Sequence, residues 1–210
     1  MDSIIFDLDG TLWDSSVSVA KAWNKVIQQF EELNEITADD LKAAMGLQAD
    51  DFSRKLLPAI HDEFRNEVLQ KCFVMENQYL ASHGGQLYKN VNEMLAGLSK
   101  DYQLFIVSNC QEGYIEAFFT YHQVGGYFLD FENSGRTGLS KGENIKILME
   151  RNHITNAIYV GDTDGDRKAA QYAEIPFVYA KYGFGEVAQY HYFIDRLEDL
   201  IDLLPNGLKP

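Results

Sequence analysis

Cysteine is almost missing from this chain: Cys72 and Cys110 stand far apart and fit no CxxC pattern, so a reducing compartment is the simpler reading. Basic residues are also scarce, 18 against 32 acids for a net charge of −14, which argues against nucleic acid or an anionic membrane as a partner. No apolar run is long enough for a membrane span, and Met1 leads at once into an acid and an apolar segment with no basic leader or cleavage signature. A cytoplasmic protein is therefore expected. Internal repeats, low-complexity tracts and charge blocks are absent too, and the five histidines show no ligand spacing. What remains is ordinary for a globular protein, 46% apolar and 24% charged over 210 residues, enough to bury a full core.

The most informative stretch is Ser3 to Leu12, SIIFDLDGTL, where an apolar run drives into two carboxylates, a glycine and a hydroxyl. Ile4, Ile5 and Phe6 read as a strand buried on both faces, and such strands deliver functional groups at their carboxyl ends. In an extended chain Asp7 and Asp9 share a side, roughly 7 Å apart at Cα. Carboxylates held this close need a cation or a proton between them, and Asp oxygens without Cys or His suit Mg²⁺. The alternative is a turn that happens to contain two acids.

Behind Ser15 and Ser16 the period changes. Val17, Ala20, Trp23, Ile27 and Phe30 recur at helical spacing, so a first helix is expected to about Leu33. Thr37 with Asp40 opens a short second helix stopping at Gly46, and Pro58 begins a long one in which Phe64, Val68, Cys72 and Met75 keep the period to about Ser82. Residues 15–85 thus form an all-helical block, a cap able to move as a lid, between residues 1–14 and residues 86–210. The latter alternate strand and helix, with strands expected near 103–107, 127–131, 157–160 and 176–180. Tyr190, Tyr192 and Phe193 should lead a closing helix over 196–204, and the tail 205–210 should fray. The expected fold class is α/β: a doubly wound parallel sheet, Rossmann-like, with the inserted helical cap.

Residues that follow parallel strands converge on one sheet edge. Besides Asp7 and Asp9 these are Ser108 and Asn109 after FIVSN, and Asp162, Asp164 and Asp166 in GDTDGD, with Lys141 opening a helix in GLSKGEN. Ser108 and Asn109 could instead cap the next helix, and Lys141 could be a solvated surface residue. A calcium EF-hand does not fit GDTDGD, because Arg167 and Ala173 stand where its Gly and Glu belong. Together the acids, the lysine, the hydroxyl and the amide make a phosphoryl-transfer inventory. Phosphate is an anion, so a divalent cation with Lys141 would have to reverse the local sign.

DLDGT, VSN, a Lys in a Gly-rich loop and GDTDGD, in this order, resemble the four motifs of the haloacid-dehalogenase-like hydrolases, and the helical block sits where that family inserts its cap. The resemblance implies a phosphatase acting on small phosphorylated metabolites. It makes Asp7 the nucleophile and Asp9 the acid and then the base, with Ser108, Asn109 and Lys141 on the phosphoryl group. Mg²⁺ would be held by Asp7, the backbone carbonyl of Asp9 and Asp162, with Asp166 acting directly or through water. DGTL and VSN look like the phosphoglycolate-phosphatase-like branch. The alternative is a sugar phosphomutase, which usually reads DGV and carries a His where this chain has Val19. A phospho-receiver lacks the cap and an acid like Asp9, and a non-catalytic binding protein would not need intact motifs. Substrate choice is expected to lie in the cap, at Gly46 to Pro58, with Gly46 and Arg54 as specificity residues; Arg54 and Lys55 could equally be solvated charges. The protein itself is expected to be a monomer or weak dimer. Trp13 is placed to line the pocket or to pack the cap, and Cys110 to sense redox state or fill space.

Overall fold

The computed structural model describes residues 2–204. The expected tail at 205–210 lies outside them. Strand β1 (Ser3–Phe6) leads into a two-residue strand β2 (Trp13–Asp14), followed by helices α1 (Ser16–Ile27), α2 (Ala38–Ala44), α3 (Ala49–Leu56) and α4 (Asp62–His83). Another two-residue strand, β3 (Gln86–Leu87), and α5 (Val91–Leu98) return the chain to β4 (Gln103–Ser108) and α6 (Tyr114–His122). Then come β5 (Phe128–Asn133), α7 (Ser134–Thr137), α8 (Lys141–Arg151), β6 (Ala157–Gly161) and α9 (Asp164–Tyr172). The last elements are β7 (Phe177–Ala180), β8 (Tyr192–Ile194), a 3₁₀ turn over Leu197–Asp199 and α10 (Leu200–Leu203).

Six strands form one sheet in the order β5-β4-β1-β6-β7-β8, every pairing parallel. The all-apolar run of β1 puts it at the centre, between β4 and β6, with Phe6 level with Ile106 and Val160. Its side chains alternate between two cores, Ile4 and Phe6 joining the larger and Ile5 the smaller, with Phe105, Tyr159, Ile145 and Leu148. Helices therefore cover both faces, as the alternating pattern predicts. The register matters for chemistry: Asp7, one residue past Phe6, and Ser108 and Asp162, two residues past Ile106 and Val160, all come to the same edge.

Several expected boundaries move, each for a local reason. Helix α1 stops at Ile27 rather than Leu33 because the Asn24 side chain binds both backbone groups of Ile36 at 2.9 Å, folding the intervening residues back as a loop. Helix α4 starts at Asp62, not Pro58. The buried Arg65 guanidinium takes the carbonyls of Leu57 and Ile60, which holds that segment off the helix axis. The segment Gly46–Pro58, where substrate choice is expected and which the helical pattern leaves open, contains α3, and Tyr192 and Phe193 form edge strand β8 instead of leading a helix. Both crossings into residues 15–85 are paired: β2 and β3 run antiparallel, Trp13 opposite Leu87 and Asp14 opposite Gln86. Trp13 is buried in edge contact with Tyr114, Phe118 and His122, so it packs rather than lines a pocket. Among the described residues no helix is long and apolar enough to cross a membrane.

Candidate active site

After β1 the chain turns within three residues. The Leu8 carbonyl accepts from the backbone N–H groups of Thr11, Leu12 and Trp13, and Gly10 takes φ +80°. A Cβ on Gly10 would also collide with the Asp162 carboxylate, so this glycine is required twice over. Gly10→Ala is expected to cost about 1–3 kcal/mol of stability through backbone strain alone. The same change should push Asp162 aside, and melting curves of the two proteins measure the cost.

Asp7 is buried, and its Oδ2 lies 3.0 Å from Lys141 Nζ. Lys141 opens α8 behind a capping box of Ser140 and Glu143, and points into the protein at 5% exposure. Its Nζ also donates to Asp166 Oδ1 at 2.5 Å. Burial opposes its charge, but Asp166 and Asp7 outweigh burial and hold the ammonium well above the ordinary lysine range. The solvated-surface reading of Lys141 is thereby removed. Asp162 follows β6 fully buried; its Oδ2 accepts from the backbone N–H groups of Phe184 and Gly185. Asp166 shares α9 with the capping Thr163, and its Oδ2 accepts from Thr163 Oγ1 and the backbone N–H groups of Asp162 and Thr163. With Lys141 on its other oxygen, Asp166 is committed to holding its neighbours. Asp164 faces away, paired with Arg167 and Lys168.

Carboxylate oxygens of Asp7, Asp162 and Asp166 lie within 4.8 Å of one another. Burial first, and Asp166 second, lift Asp7 to about 7, while burial and the charges of Asp166 and Asp7 push Asp162 well above the usual carboxylate range. Ionised together, the three carboxylates would leave two negative charges unbalanced against one ammonium. Asp7 Oδ1 and Asp162 Oδ1 are buried without any hydrogen-bond partner, a state that native proteins rarely leave unexplained. Hard oxygens, a net double negative charge and two orphaned acceptors fit a divalent cation.

Asp9, expected beside Asp7, turns instead to a separate network. Its Oδ1 accepts from Ser15 Oγ at 2.6 Å and lies 2.8 Å from the Tyr114 hydroxyl, itself 2.7 Å from Ser15. Burial lifts Asp9 to about 6 while these hydrogen bonds restrain it, so near neutrality it exchanges a proton readily. Tyr114→Phe removes one restraint. If Asp9 handles the proton, as the motif resemblance implies, kcat on a phosphate ester should fall about tenfold, with the pH limb belonging to Asp9 moved upward and KM little changed; pH–rate profiles of the two proteins check this.

Ser108 and Asn109 end β4 as expected. They do not cap α6, whose N-cap is Gly113. Asn109 donates its amide to the Gly46 carbonyl at 2.9 Å and accepts from Ser134 Oγ at 3.0 Å, tying the sheet edge to the loop before α3. Asp7, Asp9, Ser108, Asn109 and Gly46 border one cavity of about 280 Å³. Arg54 does not join them. It is exposed, 3.8 Å from Asp62, and is not part of the cavity wall. Cys110 is on that wall, and burial together with Asp9 pushes its thiol up, away from the reactive thiolate.

Residues 4–180 match the description "Haloacid dehalogenase-like hydrolase". The chain belongs to this family. As its motifs predict, it is a hydrolase with the family's α/β architecture. A phosphoglycolate phosphatase of Photobacterium profundum is 27% identical over 222 residues, covering 96% of this chain and 94% of its own. One from Aquifex aeolicus is 28% identical, covering 99% of both. Among solved structures, a predicted phosphoglycolate phosphatase from Haemophilus somnus superposes with a TM-score of 0.84 over 97% of this chain and 98% of its own at 21% identity, a likeness of fold.

Proposed function

We propose that this hydrolase cleaves phosphate monoesters of small metabolites through an aspartyl-phosphate on Asp7, in a site that also takes Mg²⁺. The observation that carries the reading is Asp7 itself, a buried carboxylate at a cavity floor with Lys141 on one oxygen and nothing on the other. In this reading Asp7 attacks phosphorus as the bond to the alcohol breaks, and Asp9 gives its proton to the departing oxygen. Water then attacks the phosphoryl group, Asp9 takes its proton, phosphate leaves and Asp7 is restored. Ser108 and Asn109 orient the phosphoryl oxygens, and Lys141 keeps Asp7 in line and ionised. Asp7, Asp162 and the Asp9 backbone carbonyl would hold the Mg²⁺, which when bound supplies the positive charge that lets phosphate approach these acids.

The same reading makes residues 1–14 and 86–210 the catalytic core and residues 15–85 a lid. The Asn109–Gly46 hydrogen bond supports it, since it joins the phosphoryl-binding edge to that segment. Val19, buried on the cavity wall at the position of the mutase His, favours hydrolysis over mutase chemistry. The test is direct. With Mg²⁺ and a chromogenic aryl phosphate, wild-type protein should release phosphate, and chelation should stop it. No release by the wild type, or equal release by Asp7→Asn, would overturn the proposal.

A further inference from the structure

One charged side chain on the cavity wall has no place in the chemistry above. Glu76 lies on the buried stripe of α4 between Cys72 and Leu80, 4% exposed, and its Oε2 accepts the Trp23 indole N–H at 2.6 Å. Around it the helical insertion contributes Val19, Met45, Leu47, Phe52 and Phe73 to the cavity. Carboxyl groups are rarely this buried without a compensating use. Burial lifts Glu76 to about 8, against the hydrogen bonds of Trp23 and Gln111. Asp50 and Asp9 border the same space, and no Lys, Arg or His is among the described residues of its wall. Lys141 lies beneath Asp7, between two acids.

Resting on the phosphatase reading, we infer that Glu76 is a specificity-determining residue: this subsite takes the uncharged, hydroxyl-bearing alcohol of a phosphate ester and rejects a carboxylate. A hydroxyl donates to a Glu76 oxygen and lays its carbon skeleton on the apolar wall. A carboxylate there would be stripped of water beside three acids with no cation to receive it. The ester in the relatives' names carries such a carboxylate; its counterpart with a hydroxymethyl group in that place does not.

These two esters make the experiment. Wild-type protein with Mg²⁺ is assayed at pH 9, where Glu76 is ionised, on 2-phosphoglycolate and on 2-hydroxyethyl phosphate, nearly equal in size, with the chromogenic aryl phosphate alongside and Asp7→Asn as the blank. The hydroxylated ester should lead by about tenfold or more in kcat/KM. Glu76→Gln, which keeps the size and the Trp23 contact, should narrow that ratio by about tenfold by improving use of the carboxylate. Glu76→Met should narrow it from the other side, raising KM for the hydroxylated ester. Turnover of the aryl phosphate with a wild-type preference for phosphoglycolate, or a ratio unmoved by both substitutions, would overturn this inference alone. No wild-type turnover of any ester would overturn the phosphatase reading and this one with it.

Discussion

Asp7→Asn is expected, on the proposed mechanism, to lower kcat/KM on any phosphate ester by at least about 10⁴-fold, because the amide cannot replace the carboxylate as nucleophile. Stability should move the other way. Asp7 is one of three acids packed within 4.8 Å, its carboxyl lifted by burial to about 7, so neutralising it relieves repulsion while Lys141 keeps Asp166 as a partner. The variant should therefore melt at or above the wild-type temperature and, on the proposed metal site, gain less from added Mg²⁺ than the wild type. A purely structural Asp7 would produce the opposite pattern, a lower melting temperature with activity retained in whatever fraction stays folded.

Lys141→Met should be the most destabilising single change at the site. It strips the ammonium from contacts of 3.0 Å to Asp7 and 2.5 Å to Asp166 and leaves three buried carboxylates facing one another. Breaking a buried pair from one side costs about 3–5 kcal/mol, or roughly 10 °C in melting temperature for a chain of this size. Turnover should fall by about 10²–10³ as well, since in the proposed mechanism the same cation keeps Asp7 aligned and ionised. The sign of the pH dependence is fixed. Without Lys141 the acids titrate higher, so the folded state holds protons that unfolded carboxyls, with pKa near 4, have released. Stability then rises as pH falls from 8 towards 5, and the deficit against wild type narrows. Lys141→Arg should not rescue, because a slot 5% exposed has no room for the wider guanidinium fork. Melting curves across that pH range measure the effect.

The sheet and the acids on its edge were legible because both are written locally. Ile4, Ile5 and Phe6 announce a strand buried on two faces, and Asp7 follows it directly. What surrounds those acids is non-local. Tyr114 reaches Asp9 across 105 positions, and Ser15, a capping residue by its place before a helix, makes no cap and binds Asp9 instead. Glu76 did leave a trace. Cys72, Glu76 and Leu80 fall four apart, so an acid stands in an apolar stripe, the kind of local conflict that marks a functional position. Arg54 was attractive as a cation in the specificity segment, but α3 forms there and carries it outward to Asp62. The crossing at Trp13 and Asp14 needed its partners Leu87 and Gln86, 74 and 72 positions away, before it could be seen as a strand.

That crossing has a topological consequence. Because β2 and β3 enter and leave side by side, the ends of the helical segment meet before the segment begins. The entropy of closing such a loop grows only with the logarithm of its length, so the strands are nearly indifferent to how much chain hangs between them. To the six-stranded sheet, everything from Ser15 to Gly85 is one hairpin turn. Changes of length inside that turn therefore cost the paired crossing little, whereas its composition is tied to the sheet edge at two points, Ser15 on Asp9 and the Gly46 carbonyl on the Asn109 amide.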